Sequence, residues 1–237
     1  MVKSVRLNKY IADHGITSRR KADEMIAAGE VLVNGQVAQV GLRIDPIKDS
    51  VSVGKTELTQ LDAADLEYWV VYKPRGYVST VRDPSNRPSV VSLVRSKQRV
   101  YPVGRLDIES EGLILLTNDG ELTNVLTHPR YHAAKTYHVW VTGEVTESKL
   151  NKLRRGVKLS DGLTAPCEIV STMLRTRKAA LTITLYEGRS RQIRRMMPKV
   201  DLEVSKLKRV GIGPVQLGKL RVGESRKLTQ SEIDQLR

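Results

Sequence analysis

The chain contains no phenylalanine, a single cysteine and four histidines in 237 residues. With Cys167 as the only thiol, no internal disulfide can form, and a thiolate metal cluster is ruled out. The four imidazoles, His14, His128, His132 and His138, do not fall at metal-ligand spacing. His128 and His132 are four apart, but Pro129 between them breaks any shared helical face. No metal is expected. A glycine-rich phosphate loop is also missing, and no cofactor is expected. No apolar run approaches the roughly 20 residues a membrane helix requires, and the N-terminus lacks the apolar stretch of a signal peptide. A cytoplasmic chain with no membrane partner is expected. Without Phe, any stacking on a nucleobase falls to Tyr, Trp, His or Arg.

What the chain has in excess is positive charge. Lys and Arg total 40 against 26 Asp and Glu, a formal net charge of +14. A chain this basic points to a polyanionic partner, nucleic acid ahead of an anionic membrane surface. Its length allows a sizeable core and more than one domain.

Residues 5 to about 53 read as a first unit of two helices and two strands. Leu7, Tyr10 and Ile11 share one helical face. Ser18 is a natural N-cap for a second helix that buries Ala22, Met25 and Ile26, and Gly29 stands at its end. Val31 to Val33, Asn34-Gly35, then Gln36 to Ala38 predict a hairpin with a tight turn. Val51 to Val53 suggests a further strand. Arg6, Lys9, Arg19, Arg20 and Lys21 all fall on the two helices, which suggests a phosphate-binding face. Taken singly, each is better read as a solvated surface residue. The stretches Val5–Ile11, Ser18–Ala22 and Val31–Gly35 resemble the S4-type RNA-binding domain, and that resemblance implies binding to structured RNA. An acidic stretch from Glu57 to Glu67 reads as the boundary, so the expected domains are 1–60 and 61–237.

Beyond it, strands and helices follow without a regular repeat, so α+β is the expected class, with a mixed, mostly antiparallel sheet. Trp69–Tyr72 predicts a strand stopped by Lys73-Pro74-Arg75-Gly76. Leu113–Leu116 reads as a buried strand. Tyr137 to Thr142, and Leu181 to Leu185, alternate as strands do. Thr146 caps a helix closed by Gly156. Arg189 to Lys199 reads as a basic helix, and Thr229 with Glu232 matches a capping box before a last short helix.

Three segments could carry chemistry. Arg105 and Asp107 stand in a polar stretch directly before the Leu113–Leu116 strand. Lys135-Thr136-Tyr137 leads into another strand. Arg189, Arg191, Arg194 and Arg195 crowd seven residues, and at helical spacing Arg191 would repel Arg194 and Arg195 unless an anion lies between them, phosphate being the natural one. Alone, Asp107 would be a capping or turn residue and Tyr137 a half-buried sheet residue. Together, the run Gly104-Arg105-Leu106-Asp107-x-x-Ser110-x-Gly112-Leu113, the run Glu187-Gly188-Arg189-x-x-Gln192-Ile193-Arg194-Arg195-Met196 and Lys73-Pro74-x-Gly76 resemble the pseudouridine synthases of the RsuA/RluB/RluF type over nearly the whole chain.

That resemblance implies conversion of a uridine in ribosomal RNA, 23S in preference to 16S, presented as a structured stem-loop, by a monomeric enzyme. It further implies that Asp107 is the catalytic aspartate, that Tyr137 packs on the uracil and that Arg194 pairs with Asp107. Leu207 would close the pocket and Arg105 would help hold the displaced nucleotide. Arg6, Lys9, Arg19, Arg20, Arg191 and Arg195 are the expected phosphate contacts. Asp201 departs from the pattern, standing where members often carry glycine. A non-catalytic RNA-binding or ribosome-assembly protein would explain the charge but not the three chemical segments. A glycoside hydrolase using Asp107 with Glu109 or Glu111 would have to do without aromatic sugar platforms.

Overall fold

The computed structural model describes residues 4–59, 65–175 and 177–237. The chain divides into two compact units, the first comprising residues 1–67 with the short segments 96–100 and 118–120, the second the remainder. The boundary expected at residues 60–61, and Asp62 of the acidic stretch, lie outside the described residues.

The first unit runs β1 (Val5–Arg6), α1 (Leu7–Asp13), α2 (Arg19–Ala27), β2 (Val31–Val33), β3 (Gln36–Val37), β4 (Arg43–Ile44), β5 (Val51–Val53) and β6 (Thr56–Leu58). Ser18 Oγ accepts from Lys21 N at 3.3 Å, the cap expected of it. Gly29 ends α2 with φ +77°, and its N–H bonds to Ile26 O. Asn34 (φ +51°) and Gly35 (φ +78°) form the tight turn between β2 and β3, since both central positions need left-handed backbone. Strands β3, β2, β5 and β6 make one sheet in that order, and β1 pairs with β4. The sequence pattern did not show β4 and β6, which are too short to alternate. Leu7, Ile11, Ala22, Ile26, Val31, Ile44 and Val51 form the core, each almost fully excluded from water.

The second unit runs β7 (Tyr68–Lys73), β8 (Tyr101–Pro102), β9 (Glu111–Thr117), α3 (Gly120–Thr127), β10 (Lys135–Thr142), α4 (Glu147–Arg155), β11 (Lys158–Leu159), β12 (Gly162–Leu163), β13 (Glu168–Arg175), β14 (Lys178–Leu185), α5 (Gln192–Met196), β15 (Glu203–Ile212), β16 (Val215–Gln216), β17 (Ser225–Lys227) and α6 (Gln230–Leu236). Nine of these strands form one sheet, in the order β13-β14-β10-β15-β9-β7-β17, with β16 on β15 and β8 on β9. Among them only β15 and β9 run parallel. The α+β class and the mostly antiparallel sheet are as expected. Strand β9 is buried along its whole length, which explains its unbroken apolar run where a half-exposed strand would alternate. The inner faces of β10, β14 and β15 pack on α4 and α5 through Val139, Leu153, Leu181, Ile183, Met196 and Leu207.

The basic helix differs from expectation. It begins at Gln192, not Arg189, and passes at Met197 into a 3-10 turn through Val200. Arg191 is left-handed (φ +50°), and Gln192 Oε1 takes the Arg189 N–H, so the chain before Gln192 is a tight turn. Asp201 also sits at φ +54°, a left-handed conformation that glycine adopts freely and that Asp tolerates better than most side chains.

At the C-terminus the capping box is complete: Thr229 Oγ1 accepts from Glu232 N at 3.2 Å, and Glu232 Oε2 accepts from Thr229 N at 2.9 Å. Arg226 grips the same carboxylate with two bonds of 2.8 and 2.7 Å. These bonds hold the Glu232 carboxyl down at about 2, with the Arg226 hydrogen bond the largest cause. Glu232→Ala should cost about 1–2 kcal/mol, readable by urea denaturation. A carboxyl depressed in the folded state stabilises fully above its ordinary value of 4.5 and loses that contribution as pH falls toward about 2. The gap between parent and variant should therefore narrow across that window.

Candidate active site

Asp107 lies in the loop between β8 and β9, and the loop is held from several directions. Ser79 Oγ donates to Leu106 O at 2.9 Å and accepts from Leu106 N at 3.0 Å, fixing the residue before Asp107. Ser110 N bonds back to Asp107 O at 3.0 Å, closing a turn. Gly76 N donates to Ile108 O at 2.8 Å. Lys73, fully buried, donates from Nζ to Ser110 O at 2.7 Å and Pro74 O at 2.9 Å. The Lys-Pro-x-Gly stretch therefore has a physical role: its lysine and glycine cradle the aspartate loop.

Asp107, half-buried, lines two adjoining cavities of about 70 and about 280 Å³ that share Arg105, Asp107, Tyr137 and the 188–191 turn. The smaller one is walled by Leu185, Ile193 and Leu207, apart from its polar rim. The larger one adds Lys135 and Arg209, together with Leu126, Thr127 and Ile212. Strands β10 and β15 deliver the floor. Val139 faces Leu207 and Tyr137 faces Arg209, and the register skips a residue between Thr136 and Tyr137. A bulge of this kind twists the strand and re-aims its side chains.

Cations gather beneath the aspartate. Arg209 is 2 % exposed; its Nε donates to Leu113 O at 2.7 Å, and its Nη2 is buried with no hydrogen-bond partner. Burial pushes the Lys73 ammonium down to about 8, with the Asp107 charge acting against that and Arg209 reinforcing it. Lys135 is likewise pushed to about 8, first by burial and then by Arg209. Lys73, Lys135 and Arg209 were not singled out as site residues from sequence. The available signal was Lys73 itself, a charge at the end of an apolar strand.

The expected pairing of Arg194 with Asp107 is not formed, and among the described residues Asp107 makes no ion pair within 4 Å. Arg194 instead reaches the same turn at another point. Its Nη2 donates to Ser110 Oγ at 3.4 Å and its Nε lies 3.9 Å from Glu109 Oε2. The reason is local. Helix α5 starts late, so Arg194 faces the 109–110 side of the turn, while Lys73 and Arg209 lie under the aspartate.

The other arginines of the cluster are also drawn to protein acceptors. Arg191 bonds Glu109 at 3.0 Å, and that bond is the main cause lowering the Glu109 carboxyl. Arg195 makes two bonds to Asp161, of 3.0 and 2.9 Å. Arg189 is spent on Glu187 Oε2 and the carbonyls of Asp161, Gly162 and Leu163. Carboxylates supplied by the fold thus answer much of the repulsion that the sequence assigned to phosphate. Arg105 remains exposed at the rim of both cavities.

In the first unit, Arg6, Arg19 and Arg20 are exposed and make no ion pair within 4 Å among the described residues, whereas Lys9 pairs with Asp13 at 2.6 Å.

Comparison with known proteins shows the family. The model of the RNA pseudouridylate synthase family matches residues 67–199, and that of the S4 domain matches residues 5–49. The chain is 40% identical over 236 residues to the ribosomal large subunit pseudouridine synthase B of Bacillus subtilis (strain 168), covering 98% of this chain and 95% of that protein. It is 39% identical over 230 residues to the dual-specificity RNA pseudouridine synthase RluF of Escherichia coli (strain K12), covering 97% and 77%. A crystal structure of a pseudouridylate synthase superposes with a TM-score of 0.69 at 30% identity, over 99% of this chain and 100% of that one. The chain belongs to the RNA pseudouridylate synthase family and carries an S4 domain ahead of the synthase domain.

Proposed function

We propose that this chain converts a uridine of ribosomal RNA to pseudouridine, with large-subunit rRNA the preferred target and Asp107 the catalytic group. The observation that carries the reading is that Asp107, Tyr137 and Leu207, from three distant segments, line one small cavity. The S4 domain and the rRNA named for its B. subtilis relative support the substrate class.

The reaction breaks N1–C1′, turns the base and joins C5 to C1′. No atom is gained or lost overall. In the sequence we favour, the Asp107 carboxylate bonds to C1′ as N1 leaves with the electron pair. The detached uracil rotates within the cavity. C5 then bonds to C1′ as the carboxylate departs, C5 gives up its proton and N1 takes one. A carboxylate in a site that excludes water must be kept ionised, and nearby cations do this. Lys73 and Arg209 supply that charge from beneath the loop, while Arg194 braces the turn at Ser110. The target base has to leave its stack, which costs a few kcal/mol. Stacking on Tyr137 returns roughly 1–3 kcal/mol. Leu207 keeps water from the base. Arg105 at the rim contacts the nucleotide as it leaves the helix, and the basic surface, Arg6, Arg19 and Arg20 included, holds phosphates without reading sequence.

Pseudouridine mapping of rRNA from cells with and without the gene tests this. One position in large-subunit rRNA should lose its modification when the gene is removed. Loss in small-subunit rRNA alone would overturn the large-subunit preference, and identical maps would overturn the function.

A further inference from the structure

The two cavities that meet at Asp107 differ in chemistry. The smaller sets Leu185, Ile193 and Leu207 against a polar rim and suits a base. The larger is cationic: Arg105, Lys135 and Arg209 line it, and none of the three has a carboxylate within 4 Å among the described residues. Arg209 is the informative one. It is almost wholly buried, yet its Nη2 has no acceptor among the described residues. An orphaned guanidinium donor in a protein interior is costly and points to a partner missing from the chain itself. Lys135 adds a second charge, its Nζ bonded among the described residues to Ala133 O alone, at 2.9 Å. Asp107 is the only acidic residue lining the cavity, and it stands on the wall shared with the base-sized cavity.

We infer that Lys135 and Arg209 form a phosphate subsite, holding one of the two phosphodiesters that flank the displaced uridine. This rests on the catalytic reading above and adds to it a division of the nucleotide. The base enters the small cavity, the phosphate lies against Lys135 and Arg209, and the sugar between them is presented to Asp107. An anionic ligand relieves both cations at once: it gives the Arg209 guanidinium a counter-charge beside it and offsets the mutual repulsion that, with burial, keeps the Lys135 ammonium low. Lys135 and Arg209 are thus positioning residues. They fix the register of C1′ against the carboxylate and touch no reacting atom.

A thermodynamic cycle tests the subsite. Lys135→Met keeps the unbranched stem and removes the ammonium with its bond to Ala133 O, so its thermal midpoint should change by no more than a few degrees. The probe is the smallest rRNA transcript that the full-length chain modifies, made with a neutral methylphosphonate on the 5′ or the 3′ side of the target uridine. Binding is measured in an Asp107→Asn background, so that no turnover intervenes. Lys135→Met and one of the two methylphosphonates should each weaken binding by roughly tenfold, and together by little more than either alone. Lys135→Met should also lower the salt slope by about 1, and Lys135→Arg should restore most of the affinity. Additive losses at both phosphates, or unchanged affinity in Lys135→Met, would overturn the subsite while leaving the catalytic reading standing. If Lys135→Met fails to fold, full affinity for both methylphosphonate probes in the parent would overturn it equally. A chain that modifies no rRNA transcript overturns both readings.

Discussion

Asp107→Asn is expected to lower pseudouridine formation by roughly 10⁴-fold or more while leaving RNA affinity within a few-fold of the parent. The amide is nearly isosteric and keeps the turn, because the bonds that hold it are backbone ones: Ser110 N to Asp107 O, and Ser79 Oγ to both the N–H and the carbonyl of Leu106. What it removes is the negative charge and the nucleophilic oxygen. The cations below, Lys73 and Arg209, would then face a neutral group, so stability should change little or fall slightly. The measurement is single-turnover conversion of transcribed rRNA, with binding followed separately. A variant that converts uridine at the parental rate would end the assignment of Asp107 as the catalytic group, and a parent chain that converts none would leave an RNA-binding protein in its place. Loss of binding in step with activity would mean that Asp107 organises the loop and takes no part in the chemistry.

Gly112→Ala should be the most damaging single-methyl change near the site. Gly112 has φ +111°, and a Cβ there would lie 2.1 Å from Arg209 O and 2.7 Å from Arg209 N. Both are backbone atoms of β15 at the one parallel crossing in the sheet, where Arg209 faces Gly112. Nothing flexible can give way, so the strands must separate or the backbone of β9 must twist. The expected loss is on the order of 3 kcal/mol or more, a fall of about 6–12 °C in Tm for a chain of this size. Activity should fall further than stability alone explains, because Arg209 moves with β15. An alanine variant that melts within a degree or two of the parent would contradict the close crossing of these strands. The glycine of the Ser-x-Gly-Leu stretch is thus required by packing, five residues from the aspartate proposed for the chemistry.

How much of this was legible beforehand depends on the range of the interaction. Ser18, Thr146 and the Thr229–Glu232 pair announced their helices because a cap acts over two or three residues. Asn34-Gly35 announced its turn for the same reason. Asp107, Tyr137 and Leu207 were recognisable from their motifs, and they do line one cavity. The partner of Asp107 was not legible. Arg194, chosen because its motif implied it, bonds Ser110, while Lys73 and Arg209 lie under the aspartate loop. Arg195 read as a phosphate ligand until Asp161, 34 residues away in sequence, took both of its terminal nitrogens. The start of the basic helix was misjudged because the Arg189 side chain is drawn to carbonyls at 161–163, a pull that no local pattern carries.

The sequence by itself determined the class of fold, the order of most elements, a polyanionic partner and the family. These follow from composition and from patterns only a few residues long. Tertiary structure alone decided which cation serves which anion. Ion pairing depends on distance through space, and the sheet order sets that distance: β15, near the end of the chain, is inserted between β10 and β9 and carries Arg209 and Leu207 beneath a loop about a hundred residues earlier. A charge cluster read along the chain records how many arginines are present, and the strands that cross beneath it determine which of them are left for RNA.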